Sequence, residues 1–320
     1  MLHNWRPTLR GWPLFLYFCP VKLRLLLLLL PLSLGPLRAA EPRAERVVFV
    51  GIDGLASWCL ERAQDIPNLR SLMAEGAWTL RKRSVMPSSS AVNWASVFMG
   101  VPTEMHAFNK WNARRPALPA VAAGQGGTPP TLFTLLRVQR PGAVSLAWYN
   151  WSGIGAIIDT ASVSVKRYAP ARPGLTTSDY TRQAAEEIVS LRPELAFLYY
   201  EELDAVGHAS GWGSADYYAT LSQLDACIGQ LVRALKDADL WEGTLLVISS
   251  DHGGKGKRHG GFTLEELEAP FLVAGTPVRR LGSFPQAMVQ YDIAATLAWA
   301  LGLEIPEHWR GRPLVEIFSN

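Results

Sequence analysis

Six residues with metal-ligating side chains stand in three short clusters, each just beyond an apolar run. Asp53 follows Arg46–Val50 (RVVFV). Asp204 follows Glu194–Tyr200 (ELAFLYY), and His208 comes four residues later, one helical turn away. Asp251 and His252 follow Thr244–Ser249 (TLLVIS), and His259 ends the glycine-rich loop in SSDHGGKGKRHGG. Each is weak alone: Asp-Gly after a strand is a common turn, and His208 before Ala-Ser-Gly suits a solvated loop. Together, three carboxylates and three imidazoles form the donor set of a two-metal site for hard-to-borderline divalent ions such as zinc.

A nucleophile candidate lies elsewhere. Pro87-Ser88-Ser89-Ser90-Ala91-Val92-Asn93-Trp94 leads into an apolar helical run closed by Gly100. Serines at such a start are good helix caps. The chemical reading is a serine hydroxyl whose pKa falls beside a metal and a helix N-terminus. Both readings stand at this point.

These residues need a frame that brings distant strand ends together. Arg46–Val50, Val144–Trp148, Glu194–Tyr200, Thr244–Ser249 and Pro270–Ala274 read as buried strands. Asn68–Glu75, Ser214–Lys236 and Asp292–Leu301 read as helices; the second repeats its apolar residues at Tyr217, Leu221, Leu224, Ile228, Leu231 and Leu235. Continuous apolar strands alternating with helices predict an α/β fold: a mostly parallel central sheet with helices on both faces. In such sheets chemistry gathers at the carboxyl ends of strands. The Gly/Pro-rich run Ala120–Pro130 reads as a loop bounding a small cap excursion around residues 105–185, inside a single domain over 41–320.

Lys22 and Arg24 precede the apolar run Leu25–Leu30, and small residues follow at Ala39 and Ala40. That order predicts a secretory signal peptide over residues 1–40, and hence a periplasmic or secreted protein. An uncleaved N-terminal anchor is the alternative. The extra apolar patch Trp12–Cys19 places the true start near Val21. Cys59 and Cys227 remain beyond the leader, and their pairing is open from sequence. No C-x-x-C pair exists, which excludes a cysteine zinc site. The net charge of +3 carries no dense basic stripe, which argues against nucleic-acid docking.

The ordered motifs resemble the alkaline phosphatase superfamily, and within it the type I phosphodiesterase/nucleotide pyrophosphatase family. They are Phe49–Gly54, Pro87–Gly100, Glu201–His208, Ser249–Gly253 and His259-Gly260, then Tyr291–Thr296 and Gly311–Leu314. The resemblance runs over nearly the whole chain from about residue 46. It implies the alkaline-phosphatase-like fold and two zinc ions. Asp204, His208 and His259 would hold one; Asp53, Asp251 and His252 would hold the other. Ser90 falls at the nucleophile position and would bridge to the second ion. Asn93 falls where the family places a donor to a phosphoryl oxygen. His106, Asp225 and Asp292 read as structural.

The departures bear on substrate. The family's Thr nucleophile is Ser90 here, and its aromatic-Pro-Asn-His run is Ala91-Val92-Asn93-Trp94. Ala91 removes a wall of a nucleobase pocket; Tyr199 and Trp151 are the candidates to replace it, or else ordinary core. Two dications, three aspartates and a Ser90 alkoxide sum to zero formal charge, which suits a diester monoanion. A monoester dianion would want a further cation, such as Lys255, Lys257 or Arg258. The same residues would serve a phosphomonoesterase or a phosphoryl transferase. A sulfatase would need a C/S-x-P/A-x-R context, and the Pro/Ala and Arg are missing around Ser90. A non-catalytic anion-binding relative would be expected to lack a ligand or the nucleophile.

Overall fold

The computed structural model describes residues 43–121 and 127–319. The leader expected over 1–40 lies outside the described residues. Its strands are β1 (Arg46–Ile52), β2 (Ala77–Arg83), β3 (Ser145–Tyr149), β4 (Val165–Tyr168), β5 (Leu195–Tyr200), β6 (Thr244–Ser249), β7 (Glu268–Ala274) and β8 (Gly282–Ser283). The helices are α1 (Ser57–Arg62), α2 (Pro67–Glu75), α3 (Ser90–Met99), α4 (Thr103–His106), α5 (Leu132–Gln139) and α6 (Gly153–Ile157), then α7 (Thr177–Leu191), α8 (Glu202–Ser210), α9 (Ala215–Asp237), α10 (Leu264–Leu267) and α11 (Asp292–Ala300).

The strands form one sheet in the order β4-β3-β5-β1-β6-β7-β2-β8. β1 lies parallel between β5 and β6, with Gly51 level with Tyr199 on one side and Ser249 on the other. β7 alone runs against the rest among the described strands, antiparallel to both β6 and β2. The sheet is therefore mixed but mostly parallel. β7 reverses because β6 returns through the short connection over 250–267 rather than through a crossover helix.

Alternating side chains of β1 enter two cores. Val47 and Phe49 pack with α3, α5 and α11; Val48, Val50 and Ile52 pack with α1, α2, α7 and α9. That double burial is why the strands read as continuous apolar runs. The apolar stripe of α9 is buried along its whole length, and Ser214 caps it by accepting from the Tyr217 amide at 3.2 Å. Every residue of α3 is buried, and Gly100 ends it in the left-handed conformation at φ 64°.

β3 and β4 both fall inside 105–185 and both belong to the main sheet. The range expected for a cap excursion thus contains two strands of the main sheet. Cys59 and Cys227 are both free and buried, which answers their pairing. No helix among the described residues is long and apolar enough to cross a membrane.

Candidate metal centre

Parallel pairing of β5, β1 and β6 puts three carboxyl ends side by side, and each delivers one aspartate. Asp53 leaves β1, Asp204 lies in the first turn of α8 after β5, and Asp251 leaves β6. His208 follows one turn along α8. His252 adjoins Asp251, and the loop beyond it brings back His259. The turn at Gly54 makes this approach possible. Its φ is +69°, and a Cβ there would lie 2.9 Å from the Asp204 Cα.

Donor atoms of Asp53, Asp251 and His252 lie within 4.8 Å of one another, and so do those of Asp204, His252 and His259. His252 Nε2 is 3.1 Å from Asp251 and 3.5 Å from Asp53. His208 Nε2 is 3.5 Å from Asp204 and 3.1 Å from His259 Nε2. The rings of His252 and His259 stack with centroids 3.7 Å apart. All six expected ligands thus meet in one cluster.

The protonation pattern fits a cation. The Nδ1 of His208, His252 and His259 each meets a backbone carbonyl, of Lys257, Gly253 and Ser88 respectively, at 2.8–3.0 Å. A carbonyl can only accept, so each Nδ1 donates, and in the neutral ring each Nε2 then carries a lone pair into the cluster. One oxygen each of Asp53, Asp204 and Asp251 is buried without a hydrogen-bond partner. Three ring nitrogens and three unpartnered carboxylate oxygens therefore converge, which is the donor set of divalent metal sites.

Burial strains these groups in the metal-free state. It raises the Asp251 carboxyl to about 7. Burial raises Asp204, with the Asp53 and Asp251 charges adding to it. Burial, then the neighbouring Asp251, raises Asp53 as well. The imidazoles move the other way: burial pushes His259 down to about 2 and lowers His252. A bound dication reverses the penalty on the carboxylates.

Asp53 is aimed by two neighbours that the motif reading did not assign. Trp94 Nε1 donates to Asp53 Oδ2 at 3.0 Å, and the Tyr199 hydroxyl donates to the same oxygen. Tyr199 is fully buried, so it does not replace the missing nucleobase wall, and Trp151 stacks on it while staying partly exposed. Gly51 makes room for this arrangement, because a Cβ there would meet the Trp94 ring at 2.5 Å.

Ser90 opens α3, and its Oγ lies 3.3 Å from His252 Nε2. Asn93 requires a correction. Its Nδ2 donates to the carbonyls of Val85, Pro87 and Ser89 at 3.1–3.2 Å, and its Oδ1 accepts from the Val85 amide at 2.7 Å. The side chain is fully buried and its hydrogen-bonding capacity is spent. Asn93 ties the serine loop to its helix and does not face a phosphoryl oxygen.

A cavity of about 690 Å³ opens over the cluster, lined by Ser90, Asp204, His208 and His259 together with Asn109, Lys110, Trp111 and Glu201. The last four were missed in the sequence; all but Glu201 lie on a loop with no periodicity to mark them. Trp111 is held beside Ser90, since its carbonyl accepts from the Ala91 amide at 3.0 Å, while its residue stays 57% exposed. Burial, then the Asp53 charge, raises Glu201 to about 7. The basic loop does not fold inward at its lysines. Lys255 pairs with Glu265 at 3.2 Å, and Lys257 reaches the Ala209 carbonyl at 2.6 Å. His106 is structural, between Ser96 and the Phe108 amide. Asp225 caps α2 through the amides of Asn68 and Leu69, and Asp292 holds those of Val289 and Arg312.

Known proteins share this frame. The chain is 30% identical over 158 residues to the 2,3-bisphosphoglycerate-independent phosphoglycerate mutase of Rhodopirellula baltica, covering 45% of this chain and 26% of that protein. It is 35% identical over 132 residues to the human GPI ethanolamine phosphate transferase 2 catalytic subunit, covering 38% and 13%. Thus the chain spans about a quarter or less of the length of these curated relatives. Murine ectonucleotide pyrophosphatase/phosphodiesterase 5, solved with AMP, superposes with a TM-score of 0.71. That match covers 86% of this chain and 100% of the other at 18% identity, a likeness of fold. The family profile of type I phosphodiesterases/nucleotide pyrophosphatases matches residues 47–269, from β1 into β7 and across every residue gathered in the cluster. The chain belongs to the type I phosphodiesterase/nucleotide pyrophosphatase family.

Proposed function

We propose that the protein is a two-zinc phosphoesterase that cleaves phosphodiester or pyrophosphate bonds through a phosphoseryl intermediate on Ser90. The observation that carries this reading is the meeting of three histidine Nε2 atoms and three unpartnered carboxylate oxygens beside the Ser90 hydroxyl. Asp53, Asp251 and His252, with Ser90, would hold one ion; Asp204, His208 and His259 would hold the other. Bound there, the ions would supply Lewis acidity, lowering the serine pKa and offsetting charge on the transferring group.

The chain's own residues account for the remaining steps. Ser90 Oγ attacks phosphorus in line as the bond to the leaving oxygen breaks. Asn93 holds the loop that aims Ser90. Water then cleaves the seryl ester. The zero formal charge of the loaded site favours a diester or pyrophosphate, and the outward commitments of Lys255 and Lys257 support that preference. A small phosphate ester is the partner, and the AMP bound by the murine neighbour makes a nucleotide one candidate class. The leader order over 1–40 supports a periplasmic or secreted location.

One observation favours a second reading. Lys110 lines the cavity and makes no ion pair among the described residues. It would supply the cation that a phosphomonoester needs. Two curated relatives carry the names mutase and transferase, so an alcohol in place of water is the other outcome to test.

Purified protein loaded with zinc should hydrolyse bis-p-nitrophenyl phosphate faster than p-nitrophenyl phosphate, leave p-nitrophenyl sulfate intact, and lose activity to a chelator. Faster monoester turnover would favour the Lys110 reading. Turnover of the diester undiminished by exhaustive chelation would sink the metal-dependent mechanism.

A further inference from the structure

Lys82 is a lysine with no exposed surface, in the middle of the run Arg81-Lys82-Arg83. In β2, Ala77 and Thr79 face inward, and strict alternation would bury Arg81 next. The pairing with β7 instead shifts register between Thr79 and Lys82. This bulge turns Arg81 out to solvent and Lys82 into the core. Bulges that re-aim a side chain are common beside active sites.

The Lys82 ammonium donates to the Ser250 carbonyl and to Gln290 Oε1. Gln290 is itself fully buried, and its Nε2 donates to the same Ser250 carbonyl at 3.2 Å. Two residues on, the Ser84 hydroxyl donates to the Asp251 carbonyl at 2.6 Å. Ser250 closes the arrangement. Its Oγ accepts from the Leu55 amide at 2.9 Å and donates to the His252 carbonyl at 3.0 Å. The end of β2 therefore grips, carbonyl by carbonyl, the segment that bears Asp251 and His252. Burying an ammonium is expensive, and no ordinary packing need explains a lysine here.

We propose that Lys82 is a positioning residue of the metal centre, clamping the Ser250 carbonyl so that Asp251 and His252 are held in ligating orientation. It reaches neither metal nor substrate. The inference rests on the metal-centre reading above. It also has a sign that electrostatics alone would reverse: removing a nearby positive charge would tighten binding of a cation, whereas losing the clamp weakens it.

The test is zinc titration against a chromophoric chelator on the full chain, with thermal melts of the metal-free protein alongside. Lys82→Met should weaken zinc at one of the two sites by about 10- to 100-fold and leave the other unchanged. Lys82→Arg should recover part of the loss. Should Lys82→Met fail to fold, Gln290→Leu keeps the lysine and removes one clamp partner, and a several-fold loss at the same site is expected. Wild-type zinc affinity in the folded variants, tighter binding, or a lowered melting temperature with both affinities intact would overturn the proposal. A wild-type chain that takes up no zinc would overturn the metal-centre reading, and this inference with it.

Discussion

His208 and His259 face each other Nε2 to Nε2 at 3.1 Å, and both rings have already spent their Nδ1 protons on backbone carbonyls. Two lone pairs set against each other repel unless a cation lies within reach of both. Burial holds His259 near 2, so that ring does not take up a proton to relieve the contact. The pair is thus arranged for an ion, and the predictions below follow from it and its neighbours.

Zinc binding should be proton-coupled through the carboxylates. Burial raises Asp251 to about 7 and raises Asp53 and Asp204 too, so these groups hold protons at pH 6 that ligation must displace. Burial pushes His259 down to about 2 and keeps it neutral there. Affinity should therefore climb between about pH 6 and 8, with roughly two to three protons released per protein at pH 6. Calorimetry in buffers of different ionisation enthalpy reads the count. In the metal-free fold, the stability linked to Asp251 is fully present below its ordinary value of 3.8 and is lost as pH rises through about 7. A pH-independent affinity would contradict this account.

Ser90→Ala should lower turnover by roughly three orders of magnitude or more while zinc content stays near wild type. Steady-state rates and metal analysis of the same preparation decide it. A fully active variant would remove Ser90 from the mechanism.

Asn93→Ala should act through the fold. It deletes four contacts to a buried loop and leaves backbone groups unpaired, a loss of about 2–4 kcal/mol. Denaturant unfolding measures it. An undiminished stability with weakened phosphate binding would instead mean that Asn93 touches substrate.

Trp111→Ala should change binding and leave stability within about 0.5 kcal/mol, since the residue is 57% exposed. The indole lines the cavity, so KM for an aryl or nucleotide ester should rise about 2- to 10-fold with little change in kcat. Unaltered KM across aryl and alkyl esters would show that the leaving group lies elsewhere.

How much of this could be seen in the sequence depended on burial. β1, β5 and β6 announced themselves because both their faces are covered, and the acidic residues at their ends followed from strand direction. β2 stayed hidden because Arg81-Lys82-Arg83 reads as a solvated run; only the bulge buries its middle member. The reversal of β7 was equally silent, since an apolar run carries no direction. Asn93 was placed correctly along the chain and wrongly in space: order gives a residue's position, not which way its side chain turns. Asn109, Lys110 and Trp111 sit on an exposed loop, where no period distinguishes cavity wall from ordinary surface.

The register of β5, β1 and β6 also dictates when the ion can arrive. Gly54 bonds to Asp251 across 197 positions, and Ser90 meets His252 across 162. A growing chain that has not yet produced β6 lacks Asp251, His252 and His259 altogether. Even a complete chain offers no ready-made nest until its central strands have docked. An ion that used all of these ligands would therefore be captured only after the sheet had closed, and would have to be on hand where that happens.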